Sequence, residues 1–145
     1  MDRINKLRFL LRDYEPLNTL HLNQLEFSDS DLEIALELAV RKLNTVNPVS
    51  SYTLENLPDI FEMALYDLAI SLLLKSRIRE LSRNNVDYYS GGIVMSLDKI
   101  ISEYVQTAQI LESQAIQNIQ TIKIQKNNES FCGNFTSAYS VFGWY

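Results

Sequence analysis

The chain has 145 residues, of which 46% are apolar and 21% charged, so one domain can bury a core without a metal or a disulfide. Thirteen Lys and Arg against eighteen Asp and Glu leave a net charge of −5, which argues against DNA binding as the main task while leaving room for DNA to pass nearby. The lone Cys132 excludes an internal disulfide, and no uncharged apolar run approaches the roughly 18 residues a membrane span needs.

In chain order, residues 2–14 predict a short amphipathic helix with Ile4, Leu7 and Leu11 on one face, Phe9 and Leu10 beside it, and Pro16 as its end. Residues 17–27 fit either a short strand or an irregular packed segment. Ser30 with Glu33 three residues on predicts a capping box, and Leu32, Leu36, Ala39 and Leu43 continue a second helix to about Asn44. A polar connection over 45–57 carries Tyr52 and Leu54 as packing anchors. Pro58 suits the first turn of a third helix, which is apolar on most sides from Ile60 to Leu81 and therefore belongs in the middle of a bundle. Its cations collect late, at Lys75, Arg77, Arg79 and Arg83, where they suit a solvated helix end.

Between Asn84 and Tyr104 lie two tyrosines, a Gly-Gly pair and a short apolar run. Val86, Tyr88, Ile93 and Met95 alternate about Gly91 and Gly92, which predicts a small hairpin or loop projecting from the helical body. The fourth helix is expected over 97–126. Leu97, Ile101, Tyr104, Ala108, Leu111 and Ala115 form a heptad seam that Asn118 interrupts and Ile122 resumes, serving either as that helix's own core face or as a partner's track. From Tyr104 onward only Glu112, Lys123, Lys126 and Glu129 are charged, so the helix calls for cover from neighbouring chains. Residues 127–145 read as an extended tail whose Phe131, Phe135, Tyr139, Phe142, Trp144 and Tyr145 are suited to anchor an interface. The expected fold is all-α: a small helical bundle over 1–126, a short hairpin or loop between its last two long helices, and the aromatic tail.

Residues that carry chemistry are sparse. His21 is the only histidine, which leaves no histidine pair for a metal and no Ser-His-Asp set. Asp29, Asp31 and Glu33 lack the loop glycine of a calcium site and suit a helix N-terminus instead. Gly91-Gly92 lacks the Lys-Ser/Thr of a phosphate loop, and Cys132 has no cationic neighbour in sequence to activate it. No cofactor, metal or enzymatic activity is expected. With no apolar run at the start to direct secretion, the expected compartment is the cytoplasm or a particle assembled there.

Residues 28–112 resemble the head–tail connector (adaptor) proteins of tailed bacteriophages. The likeness runs through "FSDSDLEIALELAV", then "LPDIFEMALYDLAISLLL", then "YYSGGIVMSLDKIISEYVQTAQIL". It implies a helical virion protein of the neck, assembled in the host cytoplasm as a homo-oligomeric ring, a dodecamer by resemblance. Such a ring sits between the portal protein and tail or neck proteins, and DNA passes through its channel without specific binding. On this basis Tyr88, Tyr89, Gly91, Gly92 and Ile93 are expected at a ring or tail contact, and the six tail aromatics at the portal. The alternatives are a tail-completion or stopper protein of the same neck, or, from another class, a small DNA-packaging helical protein.

Overall fold

A computed structural model describes residues 3–15, 18, 24–83, 89–90, 93–94 and 97–132. Among them are four helices: α1 (Arg3–Leu11), α2 (Asp29–Thr45), α3 (Glu62–Arg83) and α4 (Leu97–Cys132). A 3-10 turn, Asp59–Phe61, leads into α3, and two short strands, β1 (Tyr89–Ser90) and β2 (Ile93–Val94), stand between α3 and α4. The architecture is the expected small all-α bundle. α3 is central and packs against each of the other helices. Its Leu65, Leu68 and Ala69, with Phe61 of the 3-10 turn, are fully enclosed with Leu7 of α1, Leu32, Ala39 and Leu43 of α2, and Ala115 and Ile119 of α4.

α1 ends earlier than Pro16, for a reason in the backbone. Arg12 takes a positive φ of 57°. Its N–H then bonds the Phe9 carbonyl and the Asp13 N–H bonds the Arg8 carbonyl, the paired closure of a left-handed helix stop. The Arg12 guanidinium lies 5.3 Å from the Phe9 ring centroid. Phe9 and Leu10 are exposed, so the buried stripe of this helix is narrower than its composition suggests.

α2 starts two residues before the expected Ser30. Ser28 is the N-cap: its hydroxyl accepts from the Asp31 N–H at 3.2 Å, and the Asp31 carboxylate accepts from the Ser28 N–H at 3.0 Å. Both Ser28/Asp31 and Ser30/Glu33 have the capping-box spacing. The earlier pair brings Phe27 and Leu32, at the positions flanking the cap, into the core together. Ser28→Ala is expected to lower stability by about 1 kcal/mol, read as a shifted urea midpoint at unchanged slope. An unmoved midpoint would show that Asp31 alone sustains the helix start.

The 46–57 connection is pinned to the end of α2 by Asn44. Its side chain donates to the Tyr52 carbonyl at 2.8 Å and accepts from the Tyr52 N–H at 2.9 Å and the Ser50 hydroxyl at 3.0 Å. Tyr52 and Leu54 pack on the core as expected, Tyr52 lying 5.4 Å from Phe61 between ring centroids. Pro58 precedes the 3-10 turn rather than opening α3 itself.

α4 is longer than the expected 97–126. At 36 residues it spans about 54 Å, and its helical backbone takes in Phe131 and Cys132, which the sequence assigns to an extended tail. From Ile101 to Ile122 the seam lies on the side of the helix that packs on α3, with Ile101, Tyr104, Leu111 and Ile122 half-buried. Ala108 and Ala115 are buried, and their small side chains let the two helices approach closely. Past Ala115 the buried row moves to Ile119 and Lys123, leaving Asn118 exposed. A straight α-helix drifts about 20° per heptad from a strict 3.5-residue repeat, and α4 follows its own 3.6-residue period here.

Candidate protein-interaction surfaces

The expected hairpin loop is described in part. Tyr89 pairs with Val94 and Ser90 with Ile93 in an antiparallel register. Tyr88, Gly91 and Gly92 lie outside the described residues. Of the tail aromatics, Phe131 belongs to the α4 backbone, while Phe135, Tyr139, Phe142, Trp144 and Tyr145 lie outside the described residues, as does His21.

The charged residues of the body mostly tie helices together. Glu112 of α4 pairs with Lys42 of α2 and Lys75 of α3, joining three helices at one carboxylate. Burial, and then the charge of Lys75, lower the Lys42 pKa from its ordinary value. Arg77 holds Glu26 at 3.0 Å and Glu80 at 2.7 Å. Lys75 and Arg77 are therefore engaged in ion pairs, and of the late α3 cations only Arg79 and Arg83 present an exposed helix end. The Lys6 ammonium at 2.7 Å and the Tyr66 hydroxyl at 2.8 Å both donate to Glu62, and these bonds hold its carboxyl below the ordinary range.

The acids at the start of α2 serve the fold. Asp31 closes the capping box, and Asp29 meets Arg8 at 2.6 Å. Arg8 is buried and also meets Asp13 at 3.0 Å. Asp13 in turn accepts from the backbone N–H groups of Glu26 and Phe27 and from Asn18. Among the described residues no group of three His, Cys, Asp or Glu side chains stands close enough to hold a metal. No helix among them is long and apolar enough to cross a membrane.

Apolar and neutral residues stand on the outside as well. Ile34 and Leu38 of α2 are exposed and line a groove of about 330 Å³ with Leu72, Ser76 and Arg79 of α3. Ile60 in the 3-10 turn and Met63 at the start of α3 are exposed, as are Ile110 and Ile124 on α4. α4 is the extreme case: every exposed position from Gln106 to Gln125 is uncharged. The two charges in that span turn inward, Glu112 to the lysine pair and Lys123 to the end of α2, where its ammonium donates to the Leu43 and Val46 carbonyls at 2.7 Å each. Sequence reasoning found the scarcity of charge but missed these inward roles. The signal for Lys123 was its place four residues after Ile119, which is itself four after Ala115.

Compared with known proteins, the chain matches no protein-family model, no curated sequence and no solved structure.

Proposed function

We propose that this protein is a structural component of the neck of a tailed bacteriophage, a head–tail connector that forms a ring between portal and tail and lets DNA through. The resemblance over residues 28–112 supplies the family. The observation that carries the proposal physically is α4, whose outward face offers Gln, Ser, Thr and Ile over about six turns with no charge. A long neutral face of this kind is poorly adapted to standing alone in water and well adapted to being covered by protein. Exposed aliphatic residues on α2, at the start of α3 and on α4 give contacts on several sides, as a subunit with neighbours on each flank requires. In this reading the aromatic segment after α4 anchors on the portal protein, and the strand pair between α3 and α4 sits at a ring or tail contact.

The test is co-purification with a candidate portal protein, together with the mass and symmetry of the complex by light scattering and negative-stain microscopy. A ring of this protein bound to the portal is expected. Deleting residues 133–145, which leaves every described helix whole, is expected to abolish stable attachment while the circular dichroism stays helical. A truncated protein that still co-purifies with the portal would refute the role given to Phe135, Tyr139, Phe142, Trp144 and Tyr145. A full chain that neither forms a ring nor binds the portal would refute the connector function.

A further inference from the structure

The neutral face of α4 has an internal symmetry. At about 100° per residue, Gln106, Ile110, Ser113, Gln117, Thr121, Ile124 and Asn128 all lie within about 40° of the direction of Gln117, opposite the buried row of Ala108, Ala115 and Ile119. All seven are exposed. Counted outward from Gln117, residues at equal distances match in kind: Ser113 with Thr121, Ile110 with Ile124, and Gln106 with Asn128. The two isoleucines stand about 10 Å to either side of the centre and are 54% and 46% exposed.

We infer that this stripe is a two-fold contact surface whose occupant is the same stripe of a second copy of the chain, running antiparallel and centred on Gln117. A two-fold interface is self-complementary: residue i meets residue j, and j meets i. An antiparallel crossing at Gln117 sets each isoleucine against the partner's other isoleucine, hydroxyl against hydroxyl, and amide against amide. Gln117 meets its own copy, and a glutamine side chain both donates and accepts, so two can pair. Charge points to the same occupant. Two chains of net charge −5 repel, and a stripe without charge is where they approach with the least Coulomb penalty. Antiparallel helices also set opposite ends of their dipoles side by side. The nearest charge on the stripe, Glu103, lies beyond the outermost matched pair and limits the contact on that side. The stripe is part of the neutral α4 face that supports the connector reading, so a pair formed there leaves ring closure to the exposed aliphatic residues of α2 and of the approach to α3.

Cysteine cross-linking of the full chain in a Cys132→Ser background reads the geometry directly. Gln117→Cys is expected to form a disulfide-linked dimer on mild oxidation. Ser113→Cys alone is expected not to, because its antiparallel partner is residue 121, and the Ser113→Cys/Thr121→Cys double variant is expected to cross-link. Light scattering of the unmodified chain is expected to give twice the chain mass at micromolar concentration. Ile110→Glu and Ile124→Lys, each on the exposed face, are expected to weaken association at least about tenfold with unchanged helicity. Combined in one chain they pair Glu with Lys at both ends and are expected to restore the dimer. A monomer throughout, cross-linking of Ser113→Cys as efficient as that of Gln117→Cys, or failure of the double charge variant to recover would each overturn the inference. A ring-sized particle without the residue-117 cross-link would overturn the two-fold pair and leave the connector reading intact. A cross-linked dimer that never binds the portal would support the pair while removing the connector.

Discussion

Asp13→Ala is expected to cost about 3–5 kcal/mol of stability, the largest loss of any single side-chain truncation outside the apolar core. Asp13 is 3% exposed and is the common acceptor for four donors. Arg8 reaches it from α1, the Glu26 and Phe27 N–H groups from the approach to α2, and Asn18 from the segment between. Truncation removes the carboxylate that accepts from two backbone donors, and leaves a buried guanidinium holding the exposed Asp29. The damage extends beyond one contact, because Phe27 enters the core at this point and Ser28 caps α2 directly after it. Asp13→Asn preserves one acceptor oxygen but turns an NH₂ group toward other donors, so an intermediate loss of about 2 kcal/mol is expected. In a double-mutant cycle with Arg8→Met, the second change should recover part of the loss, since an unpaired buried cation costs more than an apolar replacement. The readout is urea unfolding. A loss for Asp13→Ala within about 1 kcal/mol, or strict additivity with Arg8→Met, would show that water replaces the carboxylate and that this cluster holds nothing together.

The fold makes two different uses of charge. Where helices meet, single charges are drawn inward and shared: Asp13 among four donors, Glu112 between two lysines, Lys123 between two carbonyls. Where α4 faces outward between Gln106 and Gln125, charge is missing altogether. The same helix therefore uses its two mid-length charges to fix its place in the bundle and keeps its outer surface free for contact. This division accounts for the low charge of the last third of the chain better than solubility does, since Gln, Ser and Thr solvate a surface less strongly than Lys or Glu.

The helices were legible in the sequence because burial repeats with the helical period: Leu32, Leu36, Ala39 and Leu43 on α2, and the nearly all-round apolar α3, lie where periodicity puts them. The errors fall where two local solutions compete. Ser28 and Ser30 both offer a cap, and only the packing of Phe27 and Leu32 decides between them. Pro16 is an obvious stop, yet Arg12 halts α1 earlier by taking a conformation for which a sequence reader looks to glycine. The end of α4 was misplaced because Asn127, Asn128 and the aromatics after them have modest helix propensity, whereas a helix already some thirty residues long extends one bond per added residue. Of the surface residues chosen from sequence, Tyr89 and Ile93 fall in the strand pair and Phe131 in α4. Spacing placed Lys123 on the buried row, but the partners of the inward charges were not legible, because they are backbone groups and side chains from distant parts of the chain.

Lys123→Ala is expected to lower stability by about 2–4 kcal/mol and to change its pH dependence, two effects that a purely space-filling role would separate. The ammonium, in a residue 4% exposed, closes the C-terminal end of α2 by donating to the Leu43 and Val46 carbonyls. Leu43 also accepts from the Val46 N–H, so the Val46 carbonyl depends more heavily on the lysine. Alanine loses both bonds and the packing of the stem. Lys123→Met keeps the stem and loses only the donors, so a smaller cost of about 1–2 kcal/mol is expected. Burial lowers the Lys123 pKa from its ordinary 10.5, and the sign of the linkage follows. Between the folded pKa and 10.5 the unfolded chain binds more protons than the folded one, so stability rises with pH across that interval and the charged form is the more costly one below it. Lys42, also lowered, acts in the same direction. Tyr104, raised above 10.0 by burial and then by Glu26, acts in the opposite direction as the solution approaches and passes that value. Subtracting the profile of Lys123→Met from that of the unaltered protein removes the Lys42 and Tyr104 contributions and leaves that of Lys123. The difference is expected to climb through the interval that ends at 10.5. A flat difference across it would mean that the amine is solvated in the folded protein and that the end of α2 is held by other contacts.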